Sequence, residues 1–217
     1  MVDGTVGVNG GATLTMDGSG SLNFNGAITG GGSIVVNGSF VTFGADNTYS
    51  GPTSVTGGVL PVAGVQGQSP VALSGGVLAG DGTVGQVTAT GGTLSGGSVV
   101  GRLRVDGALS MSAGSQLNAE LAGVTVGSEY DQVIVGGDVD VSGALLFISL
   151  TFSPPSGTQF VIVDNQGSNP IAGTFRGKIR DTDADSAVVD ISEGACLLRV
   201  RSGCARATAG EPETTSC

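Results

Sequence analysis

Residues 56–94 read TGGVLPVAGVQGQSPVALSGGVLAGDGTVGQVTATGGTL. Within them Thr56-Gly57-Gly58-Val59-Leu60 returns as Ser74-Gly75-Gly76-Val77-Leu78, and again as Thr90-Gly91-Gly92-Thr93-Leu94. The step is 18 residues and then 16. Gly107-Ala108-Leu109, 15 residues beyond Leu94, reads as the next member of the series. Between these corners lie short runs such as VALSG and QVTATG, which alternate and end at Gly, Asn or Asp, as strands do. A strand this short cannot bury its own apolar face, whereas stacked copies from successive repeats can. The predicted fold is therefore all-β: a single-stranded parallel β-helix, or β-solenoid, with a β-rich C-terminal cap. One side chain in two is expected to enter a narrow core of Val, Leu and Ala, with Gly supplying positive-φ corners. A globular β-sandwich also uses many short strands and is the competing reading. The near-constant return of the Gly-Gly corner favours the solenoid, and neither hand nor coil shape is contained in the period.

The composition agrees. Of 217 residues 41 are Gly, against a usual level of about 7%, and the aromatics are seven Phe and two Tyr. No Gly-X-Y period is present, so the chain is not collagen-like. Apolar spacing at three and four residues never runs long without a Gly inside it, which argues against helices.

Charge and missing residue types exclude several functions. Eight Lys and Arg stand against 18 Asp and Glu, for a net charge of -10. Residues 1–101 carry Asp3, Asp17, Asp46 and Asp81 and no base at all. Such a surface repels phosphate backbones and anionic lipid, so nucleic acid is not an expected partner. There is no His, which removes Ser-His-Asp and Cys-His catalysis, His-based zinc sites and a histidine proton shuttle. Carboxylate pairs and His-free serine schemes survive.

The N-terminal MVDGTVGVNGG has an acid where a signal peptide has positive charge, and no apolar core follows. No run approaches the roughly 20 apolar residues that span a bilayer, so direct membrane insertion is not expected. Texture divides the chain into β-helix rungs over 1–127, terminal coils and cap over 128–194, and a tail over 195–217. The second segment holds longer strands and Tyr130, Phe147, Phe152, Phe160 and Phe175. The tail holds Cys196, Cys204 and Cys217 and is expected to be disordered or non-native. Its cysteines read as incidental thiols, or as a local Cys196–Cys204 disulfide, because three is odd and no metal motif has these spacings.

The stretch ADNTYSGPTSVTGGVL, residues 45–60, resembles the passenger-associated repeat of bacterial autotransporters, N-T-Y-x-G-x-T-x-x-x-x-G-x-L. Asn47, Thr48, Tyr49, Gly51, Thr53, Gly58 and Leu60 match it position by position, with Pro52 where Gly is commoner. The Gly-rich rungs that follow, and the Tyr130-Asp131-Gln132 element, are similar to passenger sequence as well. Together they cover residues 20–177. The resemblance implies a right-handed parallel β-helix passenger, exported through a C-terminal outer-membrane barrel and displayed on, or released from, a Gram-negative cell. It implies an adhesin, stalk or display scaffold, a virulence setting, and a repeat that assists export and folding. It supplies no catalytic residues. This chain shows no membrane barrel, so the resemblance places it as part of a longer parent. The tail departs from the family pattern after Asp190-Ile191-Ser192.

Candidate sites are few. Asp138 and Asp140 flank Val139, so both carboxylates lie on one strand face about 6.6 Å apart; that separation suits glycoside chemistry in a groove, or simply a solvated face. Asp181, Asp183 and Asp185 have the spacing of a calcium loop's first ligands. Ser186 stands where the loop's Gly belongs and Glu193 comes one position late, so a solvated charged turn is the plainer reading. Calcium is the only cofactor suggested. Gly80-Asp81-Gly82 reads as a turn. No G-x-S-x-G elbow occurs, and Lys178 has Phe175, not Ser, three residues before it. An enzyme here would be a His-independent hydrolase acting on an ester or polysaccharide. A carbohydrate-binding module is a further alternative. The expected partners are a host or cell-surface glycan or protein, or a second copy meeting the β-helix ends or edges.

Overall fold

Alternation builds the walls. In Val71-Ala72-Leu73, Val87-Thr88-Ala89 and Leu109-Ser110-Met111 the outer two residues are buried and the middle one is exposed. Each strand is so short that it offers the core only two side chains, and its stability comes from the strands stacked on either side. The computed structural model describes residues 1–155, 157–181, 187–192 and 195–200, and side chains through Arg176.

The chain visits three sheets in rotation. Thr13–Asp17, Ser33–Asn37, Thr53–Val55, Val71–Leu73, Val87–Ala89, Leu109–Met111 and Val139–Asp140 stack as one wall. A second wall stacks Ser21–Phe24, Phe40–Phe43, Val59–Pro61, Val77–Ala79, Gly92–Ser95, Ser115–Leu121, Leu145–Leu150 and Arg176–Asp181. A third contains Val65–Gln66, Thr83–Val84, Arg102–Val105, Gln132–Val135 and Gln159–Asn165. Every strand pairing within these sets is parallel. The result is an all-β, solenoid-like arrangement, with no helix among the described residues. Repetition stops at the end of the third wall, where Ala195–Val200 pairs antiparallel with both Gln159–Asn165 and Ala187–Ser192.

The repeated leucines form one interior column. Leu60 pairs with Leu78, Leu78 with Leu94, Leu94 with Leu117 and Leu117 with Leu146, all of them buried. At about 1.5–3 kcal/mol for each buried side chain, this column is a principal source of stability. Leu109 does not belong to it. That residue pairs with Val87 and Val139 in the first wall, and the successor to Leu94 is Leu117. The reading of Gly107-Ala108-Leu109 as the fourth repeat is therefore corrected. The coil after Leu94 is longer because residues 96–101 bulge out of it before the third wall resumes at Arg102. A second excursion, residues 122–131, lengthens the next coil.

The paired glycines divide their labour. Gly58, Gly76 and Gly92, the second of each pair, have positive φ of 75°, 67° and 72°. Gly75 and Gly91 have ordinary φ, and a Cβ there would press on the carbonyl of Thr56 or Ser74 in the coil beneath. One glycine turns the chain, and the other lets two coils approach.

Aromatic rings fill the core in two places. Phe24, Phe43 and Tyr49 stack edge-to-face, with centroids 5.7 and 6.4 Å apart. Tyr130, Phe152 and Phe160 do the same at 5.2 and 6.1 Å. Such contacts add about 0.5–1.5 kcal/mol each beyond burial. Phe40, 45% exposed, and the half-buried Phe147 face outward instead.

Candidate functional site

The two carboxylates flanking Val139 point outward, as the alternation predicts, while Val139 and Val141 are buried. Each already has local partners. Asp138 Oδ1 accepts from Asn169 Nδ2 at 2.9 Å. Asp140 Oδ1 accepts from the Ser142 amide at 2.9 Å and its hydroxyl at 2.5 Å, closing a turn onto its own backbone. Asp138 and Asp140 line neither of the grooves described below. Of the calcium candidates, Asp181 ends a strand with its side chain outside the described residues, and Asp183 and Asp185 lie wholly outside them. Cys204 and Cys217 lie outside as well, as do the side chains of Cys196 and Lys178. Among the described residues no group of three or more acids or cysteines is placed to hold a metal.

The Asn-Thr-Tyr stretch is interior. Asn47 is buried, its Oδ1 accepting from the Ile28 amide of the preceding coil at 2.6 Å and its Nδ2 donating to the Ala45 carbonyl. A side chain thereby takes up a backbone donor where no strand does so. Tyr49 is fully buried, and its hydroxyl begins a polar relay inside the coil. Tyr49 Oη lies 2.6 Å from Thr53 Oγ1, which lies 2.9 Å from Ser69 Oγ, which donates to the Gly51 carbonyl at 2.8 Å. Gln66 meets Tyr49 Oη at 2.9 Å from the other side. Burial raises the Tyr49 phenol above its usual range, so it remains a hydroxyl at any physiological pH.

Asp131 is the most perturbed acid described. It is 1% exposed, and its carboxyl accepts from the amides of Gly101 and Glu120 at 2.9 and 3.1 Å and from Ser95 Oγ at 3.3 Å. Burial pushes its pKa up to about 6, against the pull of those donors, and the nearby Glu120 carboxylate adds to the rise. Sequence reasoning reached Asp131 only as part of a family-like element. Its burial arises from the 96–101 and 122–131 excursions closing over it, and neither is visible as a pattern.

Two grooves lie on the outer surface formed by the described residues. One, about 240 Å³, lies on the second wall, with Val59, Pro61, Val77 and Ala79 as its floor and residues 97–99 as its side. The other, about 440 Å³, lies where the third wall turns into the first, with Gln68, Gln86 and Asp106 around a floor of Gly67, Gly85 and Gly107. Asp106 in this second groove is paired with Arg104 at 2.6 Å. The two grooves offer hydrogen bonds and apolar contact, with no nucleophile–base pair among the described residues. Compared with protein-family models and with curated proteins, the chain has no match in either.

Proposed function

We propose that the chain is the right-handed parallel β-helix of an autotransporter-like passenger, and that it acts at the cell surface as an adhesive stalk or display scaffold. The observation carrying this reading is the use of Asn47, Tyr49 and Thr53 as interior ties within consecutive parallel coils. A repeat that resembles the passenger-associated pattern thus holds two coils together and leaves its signature side chains unavailable to a ligand. The right hand follows from the strong preference of parallel crossover connections. Burial of Phe24, Phe43, Tyr49, Tyr130, Phe160 and Phe175, with the outward Phe40 and Phe147 on a different wall from Asp140, favours a scaffold over a sugar-stacking site. The local partners of Asp138 and Asp140 favour it over a glycosidase.

Two measurements test the proposal. The chain, placed between a signal peptide and an outer-membrane barrel in a Gram-negative host, is expected at the cell surface, scored by its accessibility to added protease. Retention in the periplasm overturns the passenger reading. Purified protein is expected to leave a panel of glycans and p-nitrophenyl esters unchanged. Turnover abolished by Asp138→Asn or Asp140→Asn overturns the scaffold reading.

A further inference from the structure

The outward rows of a solenoid wall are ordinarily polar, and the first wall largely follows that rule with Ser54, Thr88, Ser110 and Asp140, in a row from Val35 to Asp140 that only Val35 itself and the small Ala72 interrupt. The second wall breaks it. Phe40, Val59 and Val77 occupy one outward row in adjacent strands, and Pro61 and Ala79 occupy the next. Pro61 and Ala79 face outward by alternation and are nevertheless buried, because they line a groove against Gly97, Ser98 and Val99. Val99 stands at the rim, 74% exposed.

From the floor the strands run into polar ground. Ser95 and Asn118 continue the row of Pro61 and Ala79. Glu120 lies two residues further along its strand, at the groove's end, with an exposed carboxylate that has no partner among the described side chains. Among the described residues no Lys or Arg lines the groove.

We infer that this groove is a docking site for an extended segment of a partner protein that presents an aliphatic side chain and, two residues away, a Lys or Arg. Three features fix the occupant. A volume of about 240 Å³ falls below the roughly 300–1,000 Å³ of small-molecule sites, and it suits one inserted side chain. Every groove strand is hydrogen-bonded on both edges, so backbone pairing is closed and recognition falls to side chains. Glu120 lies two residues along and two strands across from the floor at Ala79, roughly 12 Å away. Two residues of extended chain cover about 6.6 Å of that, and the length of the Lys or Arg side chain covers the rest. The aliphatic side chain fills the floor while the cation reaches Glu120. The surrounding chain, at net charge -10, attracts such a segment and repels an acidic one. The inference stands independently of the passenger reading.

The test titrates the 15N-labelled full chain with the acetylated, amidated pentapeptide Ser-Leu-Ser-Lys-Ser, and with versions carrying Glu for Lys or Ser for Leu. Saturable amide shifts are expected at residues 59–61, 77–79, 95–99 and 118–120. The Glu peptide is expected to bind about tenfold more weakly, because attraction becomes repulsion, and the Ser version at least as weakly. Glu120→Gln, at an exposed position, is expected to weaken the Lys peptide about threefold and to strengthen the Glu peptide. Equal binding of all three peptides, shifts elsewhere, or indifference to Glu120→Gln overturns the proposal. Movement of the same resonances with protein concentration alone also overturns it and assigns the groove to a second copy.

Discussion

The Asp131 carboxylate and the Gly101 amide, 30 residues apart in sequence, meet at 2.9 Å and join the two excursions that interrupt the coil. Because Asp131 Oδ2 also accepts from Glu120 N and Ser95 Oγ, one carboxyl fixes the base of the 96–101 loop to the second wall. That loop is a side of the apolar groove, so the groove's shape depends on a buried acid.

The sign of its pH dependence follows from the pKa, raised from 3.8 to about 6 by burial. The folded chain holds this proton more tightly than the unfolded chain does. Asp131 therefore favours folding most at low pH, and the benefit declines as pH rises from about 4 through about 6. Asp131→Asn cannot titrate. The stability of the native chain relative to Asp131→Asn should fall between pH 4 and 7, measured as urea midpoints across that range. A native advantage that grows with pH would mean that the three donors outweigh desolvation, and would sink the account.

Gln66 supplies a second prediction. The relay of Tyr49, Thr53 and Ser69 has three hydroxyl protons, yet four contacts link Gln66, the three hydroxyls and the Gly51 carbonyl. With Gln66 Oε1 toward Tyr49 one contact lacks a proton, and the buried Nε2 has no partner. With Nε2 toward Tyr49 all four contacts are served in one direction, towards Gly51. Gln66→Met removes the amide and leaves three protons for three contacts, so stability should be retained or rise by up to about 1 kcal/mol. Gln66→Glu buries an acid with no cation nearby and should cost about 3–5 kcal/mol at pH 7. Thermal unfolding of the pair decides it: equal losses would show that shape, not proton supply, sets the cost.

These polar features were less legible than the coil itself. Leu60, Leu78 and Leu94 each stand two residues after a Gly-Gly pair, so their equivalence could be read from spacing alone. The same reasoning misplaced Leu109, because residues 96–101 add length without any change of composition and push the true successor to Leu117. Asp131 and the apolar groove both depend on where that extra length folds back. Phe40, Val59 and Val77 look like ordinary strand residues until register shows that all three face outward. Periodicity reports which residues face inward; it carries nothing about what an irregular loop covers.

The glycine corners give a graded prediction. Gly18 has positive φ and open space around the site of a Cβ. Gly75 has ordinary φ but lies against the Thr56 carbonyl, and Gly76 has both a φ of 67° and the Gly58 carbonyl beneath it. Replacement by Ala should cost about 1 kcal/mol at Gly18 from backbone strain alone. At Gly75 the cost should be about 1–3 kcal/mol from overpacking, and at Gly76 it should exceed both. Urea midpoints of the three variants test the order. If Gly75→Ala is silent, close approach of the coils is not what that glycine provides.

Asn47 makes the most local prediction. Its Oδ1 is the partner of the buried Ile28 amide, and Ile28 is itself 0% exposed. Asn47→Ala leaves that donor without an acceptor in a site too enclosed for solvent to replace it. The expected cost is about 1–3 kcal/mol, the penalty of an unsatisfied buried donor. Asn47→Asp retains an acceptor for Ile28 but sets a second oxygen against the Ala45 carbonyl, where Nδ2 now donates. It should be nearly as harmful at pH 7 and recover as acid protonates it, since a protonated Asp donates in place of the amide. The sharper readout is amide exchange. In Asn47→Ala the Ile28 amide should lose protection by more than the change in global stability, while Leu117 and Leu146 follow the global value. Uniform loss across all three would mean that Asn47 stabilises the coil as a whole, and that the tie to Ile28 is incidental.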